Sequence, residues 1–118
     1  MVINFVLPSL GASGGIDVVY KYVELLIKRG HDVRVYKELK ARNMYRYSSS
    51  IKNWAHQMYC TIKAVVLKNV NRHDEDCFVW RITDDTVRRA DVVIATAWPT
   101  AFAVNELSST AGNKYYFI

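Results

Sequence analysis

The sequence predicts an α/β fold: a Rossmann-like parallel sheet of about five strands in the order 3-2-1-4-5, with helices on both faces. Three observations predict it. Short apolar runs alternate along the chain with longer stretches of helical period. The opening unit, Val2 to Tyr36, fits strand, helix and strand into about 35 residues, the size of a βαβ unit with a right-handed crossover. The apolar runs are nearly continuous, as in parallel strands covered on both faces.

Val2, Ile3, Phe5, Val6 and Leu7 form the first strand, interrupted only by Asn4 and ended by Pro8. Ser9 to Gly15 is a small-residue turn that permits a close backbone approach. From about Ile16 to Arg29 runs an amphipathic helix, with Ile16, Val19, Tyr22 or Val23, and Leu26 at spacings of three and four. Asp17–Lys21 and Glu24–Lys28 are oppositely charged pairs on its outer side. Gly30 supplies a left-handed cap. DVRVY, Asp32 to Tyr36, alternates as the second strand. Lys37 to Tyr47 is a basic loop containing Tyr45 and Tyr47, and Ser48 to Ser50 can cap a helix beginning there.

Residues 50 to 70 form this second helix, with Ile51, Trp54, Met58, Ile62, Val65 or Val66, and Val70 expected inward on the sheet. CFVWRI, Cys77 to Ile82, is the third strand, followed by a turn that Thr83, Asp84 and Asp85 cap. DVVIAT, Asp91 to Thr96, is the fourth; Trp98-Pro99-Thr100 makes the next turn. Ala101 to Ser108 is a short helix with Ala103, Val104 and Leu107 inward, and KYYFI, Lys114 to Ile118, begins a fifth strand. The chain ends inside that strand, so residues 1–118 are expected to be a single, truncated domain.

Apolar residues make up 51% of the chain, which excludes a disordered polymer. The net charge of +5 is unevenly placed. Residues 37–72 carry eight basic groups and one acid, an excess of about +7, whereas residues 73–118 carry four basic and seven acidic groups. Such a patch fits either a solvated helix face or an anionic membrane surface. The basic residues alternate with apolar ones and no nucleic-acid reader motif is present, so nucleic acid is not expected as a partner. Cys60 and Cys77 are too few and too far apart for a disulfide scaffold and read as buried, reduced thiols of a cytoplasmic protein. No secretory signal and no apolar run of membrane-spanning length is visible in these residues.

In a 3-2-1-4-5 sheet, strands one and four are neighbours at the reversal point, and ligands bind beyond their carboxyl ends. The loops that meet there are SLGASGG and TAWPT, which bring Gly14, Gly15, Thr96, Trp98 and Thr100 to one crevice. The glycine loop is neither a Walker A motif nor GxGxxG. It is either a tight turn or an anion cradle at a helix start. Trp98 with its flanking threonines either covers the sheet edge or stacks on a sugar ring. His31, His56 and His73 are unclustered. His73-Asp74-Glu75-Asp76 reads as a solvated turn, so no metal site and no resident cofactor are expected. No nucleophile–base pair stands out.

The run INFVLPSLGASGGIDVVYKYVELLIKRGHDVRVY resembles the opening of GT-B glycosyltransferases of the glycosyltransferase 4 class, with the upstream GG and the RGHxVxV pattern. ADVVIATAWPTAFAVNEL and KYYFI resemble the fourth and fifth strand regions of the same N-terminal domain. The resemblance implies an acceptor-side half of a retaining enzyme. Such an enzyme transfers a sugar from a nucleotide-sugar to a saccharide or lipid-linked acceptor without a metal, in polysaccharide or cell-envelope synthesis. Ser13, Gly14 and Gly15 then lie toward the donor phosphates, and Thr96, Trp98 and Thr100 toward the acceptor. The donor domain with its E-x7-E motif is not among these residues, so the piece is expected to be inactive alone. It would be cytoplasmic, peripheral at the inner membrane face, and inclined to self-associate through an open sheet edge. The alternative is a non-catalytic Rossmann-like binding or regulatory module, and the reading frame past Ile118 discriminates the two.

Overall fold

The computed structural model describes residues 1–8, 14–40, 50–67 and 73–118. Ser13, the Tyr45 and Tyr47 loop, and Val70 at the expected end of the second helix lie outside the described residues. The elements run β1 (Val2–Pro8), α1 (Gly14–Lys28), β2 (Asp32–Glu38), α2 (Ser50–Leu67), β3 (Asp76–Val79), β4 (Val92–Ala95), α3 (Trp98–Glu106) and β5 (Asn113–Tyr116). A short 3₁₀ turn, Ser109–Ala111, precedes β5. All four strand pairings are parallel and the order is β3-β2-β1-β4-β5, the Rossmann-like arrangement expected from the sequence.

Strand alternation sorts the core into two layers. Ile3, Phe5 and Leu7 of β1 and Val33 and Val35 of β2 point to one face, where Val19 and Val23 of α1 cover them. Val23, not Tyr22, is therefore the inward residue of that turn. Val6, Tyr36, Val93 and Ala95 point to the other face, beneath Ala103, Val104 and Leu107 of α3. Thus α1 and α3 stand on opposite faces.

The polar interruption in β1 is satisfied. Asn4 is fully buried; its side-chain amide donates to the Arg88 carbonyl at 3.0 Å and its oxygen accepts from Arg88 Nε at 3.1 Å. Arg88 continues outward to the Asp32 carboxylate at 2.8 Å and 3.0 Å, clamping the loop before β4 onto β2. Glu24 and Lys28 pair at 2.6 Å on the outer face of α1, and Gly30 adopts φ +88° at its end.

Four expectations are corrected. First, β3 is Asp76–Val79, not residues 77–82. Trp80 and Arg81 leave the sheet, and Ile82 turns into the core while its amide donates to the buried Glu38 carboxylate at 2.8 Å. Second, Asp76 is not part of a solvated turn. Its side chain is fully buried and pairs with Lys37 at 3.1 Å. Lys37 correspondingly belongs to β2 and not to the loop after it. Third, Trp98-Pro99-Thr100 is the first turn of α3. Proline suits that position because its missing N–H would have had no intrahelical partner there.

The fourth correction concerns α2. Its inward face is not the apolar stripe. Thr61 and Ala64 are buried and Gln57 and Cys60 half-buried, whereas Ile51, Trp54, Met58, Ile62, Val65 and Val66 are exposed. At about 100° per residue the stripe is rotated roughly a quarter turn or more from the Gln57–Thr61–Ala64 line. Small and polar side chains meet the protein, and the large apolar ones are left outside.

Candidate functional site

The crevice is built by β1 and β4. They pair in register, Val6 opposite Ala95, so the loops that leave them emerge from one edge of the sheet. The Thr96 hydroxyl donates to the Val6 carbonyl at 2.9 Å and ties the two strand ends together. A helix starts beyond each strand: α1 at Gly14 and α3 at Trp98. The amino ends of both helices, with their positive dipole ends, therefore belong to the same edge. Glycine at residues 14 and 15 puts no side chain between the start of α1 and the crevice.

The three residues assigned to the fourth-strand loop behave differently. Thr100 is buried. Its hydroxyl donates to the Ala97 carbonyl at 2.8 Å and accepts from the amides of Thr96 at 3.2 Å and Ala97 at 3.0 Å. This is the returning half of a capping box. One donor and two lone pairs are all a hydroxyl has, so Thr100 has no hydrogen-bonding capacity left for a ligand. Thr96 is half-buried. With its proton on Val6, its lone pairs are the part of the group that an external hydroxyl can reach. Trp98 is 47% exposed and projects from the first turn of α3.

One residue at this edge escapes the sequence reading. Phe102 is 59% exposed and stands edge-on to Trp98, ring centroids 6.0 Å apart at 89°. The signal was available: once Pro99 is read as the helix start, Trp98 and Phe102 are i and i+4 on one face. Starting the helix at Ala101 hides that pairing. Gly14, Gly15, Thr96, Trp98 and Phe102 carry no titratable side chain. Such a surface binds by stacking and by N–H donation; it offers no general acid or base.

Elsewhere several polar groups hold the fold together. The Tyr20 hydroxyl donates to Asp76 at 2.5 Å, and His73 stacks on the Tyr20 ring at 3.8 Å. Burial, and then the Asp76 carboxylate, raise the Tyr20 hydroxyl well above its ordinary value of 10.0. Asp84 accepts from the Ser108 amide at 2.9 Å, linking its turn to the end of α3. A depression of about 320 Å³ lined by Val2, Arg89, Asp91 and Thr110 lies at the amino ends of β1 and β4, away from the crevice. Its Asp91 carboxylate already accepts from the Val2 amide at 2.7 Å. Cys60 and Cys77 are free and half-buried. Among the described residues no group of three or more His, Cys, Asp or Glu side chains is placed to hold a metal ion.

No protein-family model matches this chain, and no curated protein or solved structure does either. The class rests on the chain's own topology: a five-stranded, all-parallel Rossmann-like α/β fold.

Proposed function

We propose that residues 1–118 are the acceptor-side half of a retaining GT-B glycosyltransferase. It takes a saccharide or lipid-linked saccharide in the crevice beyond β1 and β4 and works with a donor-binding half in the cytoplasm. The observation that carries this reading is the exposed Trp98–Phe102 pair at the switch point, on the sheet edge beyond which α1 also starts. An aromatic face of this kind stacks on the apolar face of a pyranose ring. The Thr96 hydroxyl oxygen then accepts from a sugar hydroxyl, and the amides at Gly14 and Gly15 turn toward the donor phosphates. The resemblance of the GG and RGHxVxV segments to glycosyltransferases adds the reaction class.

In this division of labour the chain supplies positioning and not proton transfer. Gly14, Gly15, Thr96, Trp98 and Phe102 carry no titratable side chain, so in this reading the charge of the departing nucleotide is met by the other half. The reading therefore requires that the piece bind acceptor while turning over nothing by itself.

Equilibrium titration with a panel of short glucose, galactose and N-acetylglucosamine oligosaccharides tests it. At least one sugar is expected to bind the wild-type chain, and Trp98→Ala is expected to abolish that binding while leaving the far-UV circular dichroism unchanged. Absence of binding across the panel, or binding unchanged in Trp98→Ala, contradicts the proposal. The second case would favour a non-catalytic module whose ligand sits elsewhere.

A further inference from the structure

We infer that α2 is a membrane-surface helix: its exposed apolar stripe lies in the interface of a bilayer rich in anionic lipid, with its lysines at the headgroup level. This stands apart from the saccharide reading and does not rest on it.

The helix has three sides. Gln57, Cys60, Thr61 and Ala64 meet the protein. Ile51, Trp54, Met58, Ile62 and Val65 form a continuous stripe at spacings of three and four, with Ile51 76%, Trp54 64% and Ile62 57% exposed. Lys52 and Lys63 are exposed on the remaining side. Eighteen residues give a helix about 27 Å long, so the stripe is larger than the scattered apolar side chains of an ordinary surface. The helix contains no aspartate or glutamate. No helix among the described residues is long and apolar enough to cross a membrane, so this one would lie along the surface.

Charge complementarity selects the occupant. A second copy seated stripe to stripe sets against α2 a helix that holds no acid, so it offers no carboxylate to the lysines. A nucleic acid offers phosphates to the lysines but no hydrocarbon for Ile51, Met58 and Ile62. An anionic bilayer offers both, in the geometry of an amphipathic helix that buries its apolar side among the acyl chains and keeps its cations with the headgroups. Trp54 and Tyr59 have the amphipathic rings favoured at that depth. In sequence the helix is flanked by five further basic residues, Lys40, Arg42, Arg46, Lys68 and Arg72, whereas Lys37 is committed to Asp76.

The test is vesicle co-sedimentation of the 118-residue chain at low salt, with vesicles containing phosphatidylglycerol and with pure phosphatidylcholine. Binding is expected to the anionic vesicles and to be at least about tenfold weaker on the zwitterionic ones, as surface charge dictates. Replacing both lysines (Lys52→Gln with Lys63→Gln) is expected to weaken binding about 30-fold. Trp54→Ser with Ile62→Ser is expected to weaken it by about tenfold or more. All four side chains are exposed, and circular dichroism confirms that the variants fold. No sedimentation with anionic vesicles overturns the inference. Binding that survives the loss of Trp54 and Ile62 overturns it too, since charge alone would then explain the attachment. A dimer that Ile62→Ser dissolves, without vesicle binding, assigns the stripe to a second copy and overturns it as well.

Discussion

The Tyr20 hydroxyl donates to the Asp76 carboxylate at 2.5 Å, joining α1 to the first residue of β3 across 56 positions of sequence. Lys37 reaches the other carboxylate oxygen at 3.1 Å from the intervening strand β2. A buried charge on β3 is therefore held by α1 and β2, and that strand, only four residues long, is fixed at the sheet edge by it.

The triad predicts an alkaline weakness. The Tyr20 hydroxyl is raised, by burial first and Asp76 second, above its ordinary 10.0. In the unfolded chain it ionises at 10.0; in the folded protein it keeps its proton, so folding binds a proton above that pH. The stabilisation is thus complete below about pH 10 and lost progressively above it. Urea unfolding from neutral pH upward should show a fall in midpoint starting there, attenuated in Tyr20→Phe. At neutral pH Tyr20→Phe is expected to cost about 1–3 kcal/mol. Lys37→Met, which leaves Asp76 buried and without its cation, is expected to cost about 3–5 kcal/mol.

Asp32 and Arg88 predict the opposite limb. Hydrogen bonding to Arg88, as the leading cause, holds the Asp32 carboxyl below its ordinary 3.8. A lowered carboxyl contributes stability above its unfolded value, and the contribution disappears as pH falls past 3.8 toward the lower folded value. Asp32→Asn should therefore be less stable than wild type near neutral pH. The two unfolding midpoints should converge in acid.

Gly112 predicts a sharp steric penalty. It has φ +95°, and a Cβ there would stand 2.5 Å from the carbonyl carbon of Asp91 and 2.6 Å from two backbone oxygens. Neither the left-handed backbone nor the β4–β5 contact can yield cheaply, because both are main chain. Gly112→Ala is expected to cost about 3 kcal/mol or more. Gly30 has a similar φ of +88° but open space around it, so Gly30→Ala is expected to cost only about 1–2 kcal/mol. Thermal denaturation of the two variants side by side separates clash from backbone strain.

Thr100 and Trp98 separate stability from binding. Thr100→Val leaves the Thr96 and Ala97 amides without their acceptor and is expected to cost about 1–2 kcal/mol. Trp98→Ala removes an exposed ring and is expected to change stability by no more than about 0.5 kcal/mol. Ligand binding should respond in the reverse order.

Much of this architecture is legible in the chain because it arises from alternation. Ile3, Phe5 and Leu7 against Val6 define two faces of β1, and the run DVRVY repeats the pattern, so the sheet and its order need few assumptions. The misread positions have physical reasons. Helical period shows that Ile51, Trp54, Met58 and Ile62 share a face; it does not show that the face meets the protein. Thr61 and Ala64 make that contact instead, and their small side chains carry no hydrophobic signal. Asp76 reads as solvent-exposed because three charged or polar neighbours precede it. Its partners Tyr20 and Lys37 are 56 and 39 positions away, beyond any local pattern. The crevice is legible because topology alone brings Gly14, Gly15, Thr96 and Trp98 to one edge, whereas Phe102 requires the correct helix start.

We propose that a saccharide sits at this edge, beyond β1 and β4. Amide chemical-shift mapping of the labelled chain against a saccharide that binds it tests this most directly. The amides of Gly14, Gly15, Thr96, Trp98 and Phe102 are expected to shift together on saturation while those of the Tyr20–Asp76 side do not. Shifts confined to α2 or to the Val2–Asp91 depression, with the crevice amides unmoved, would contradict it.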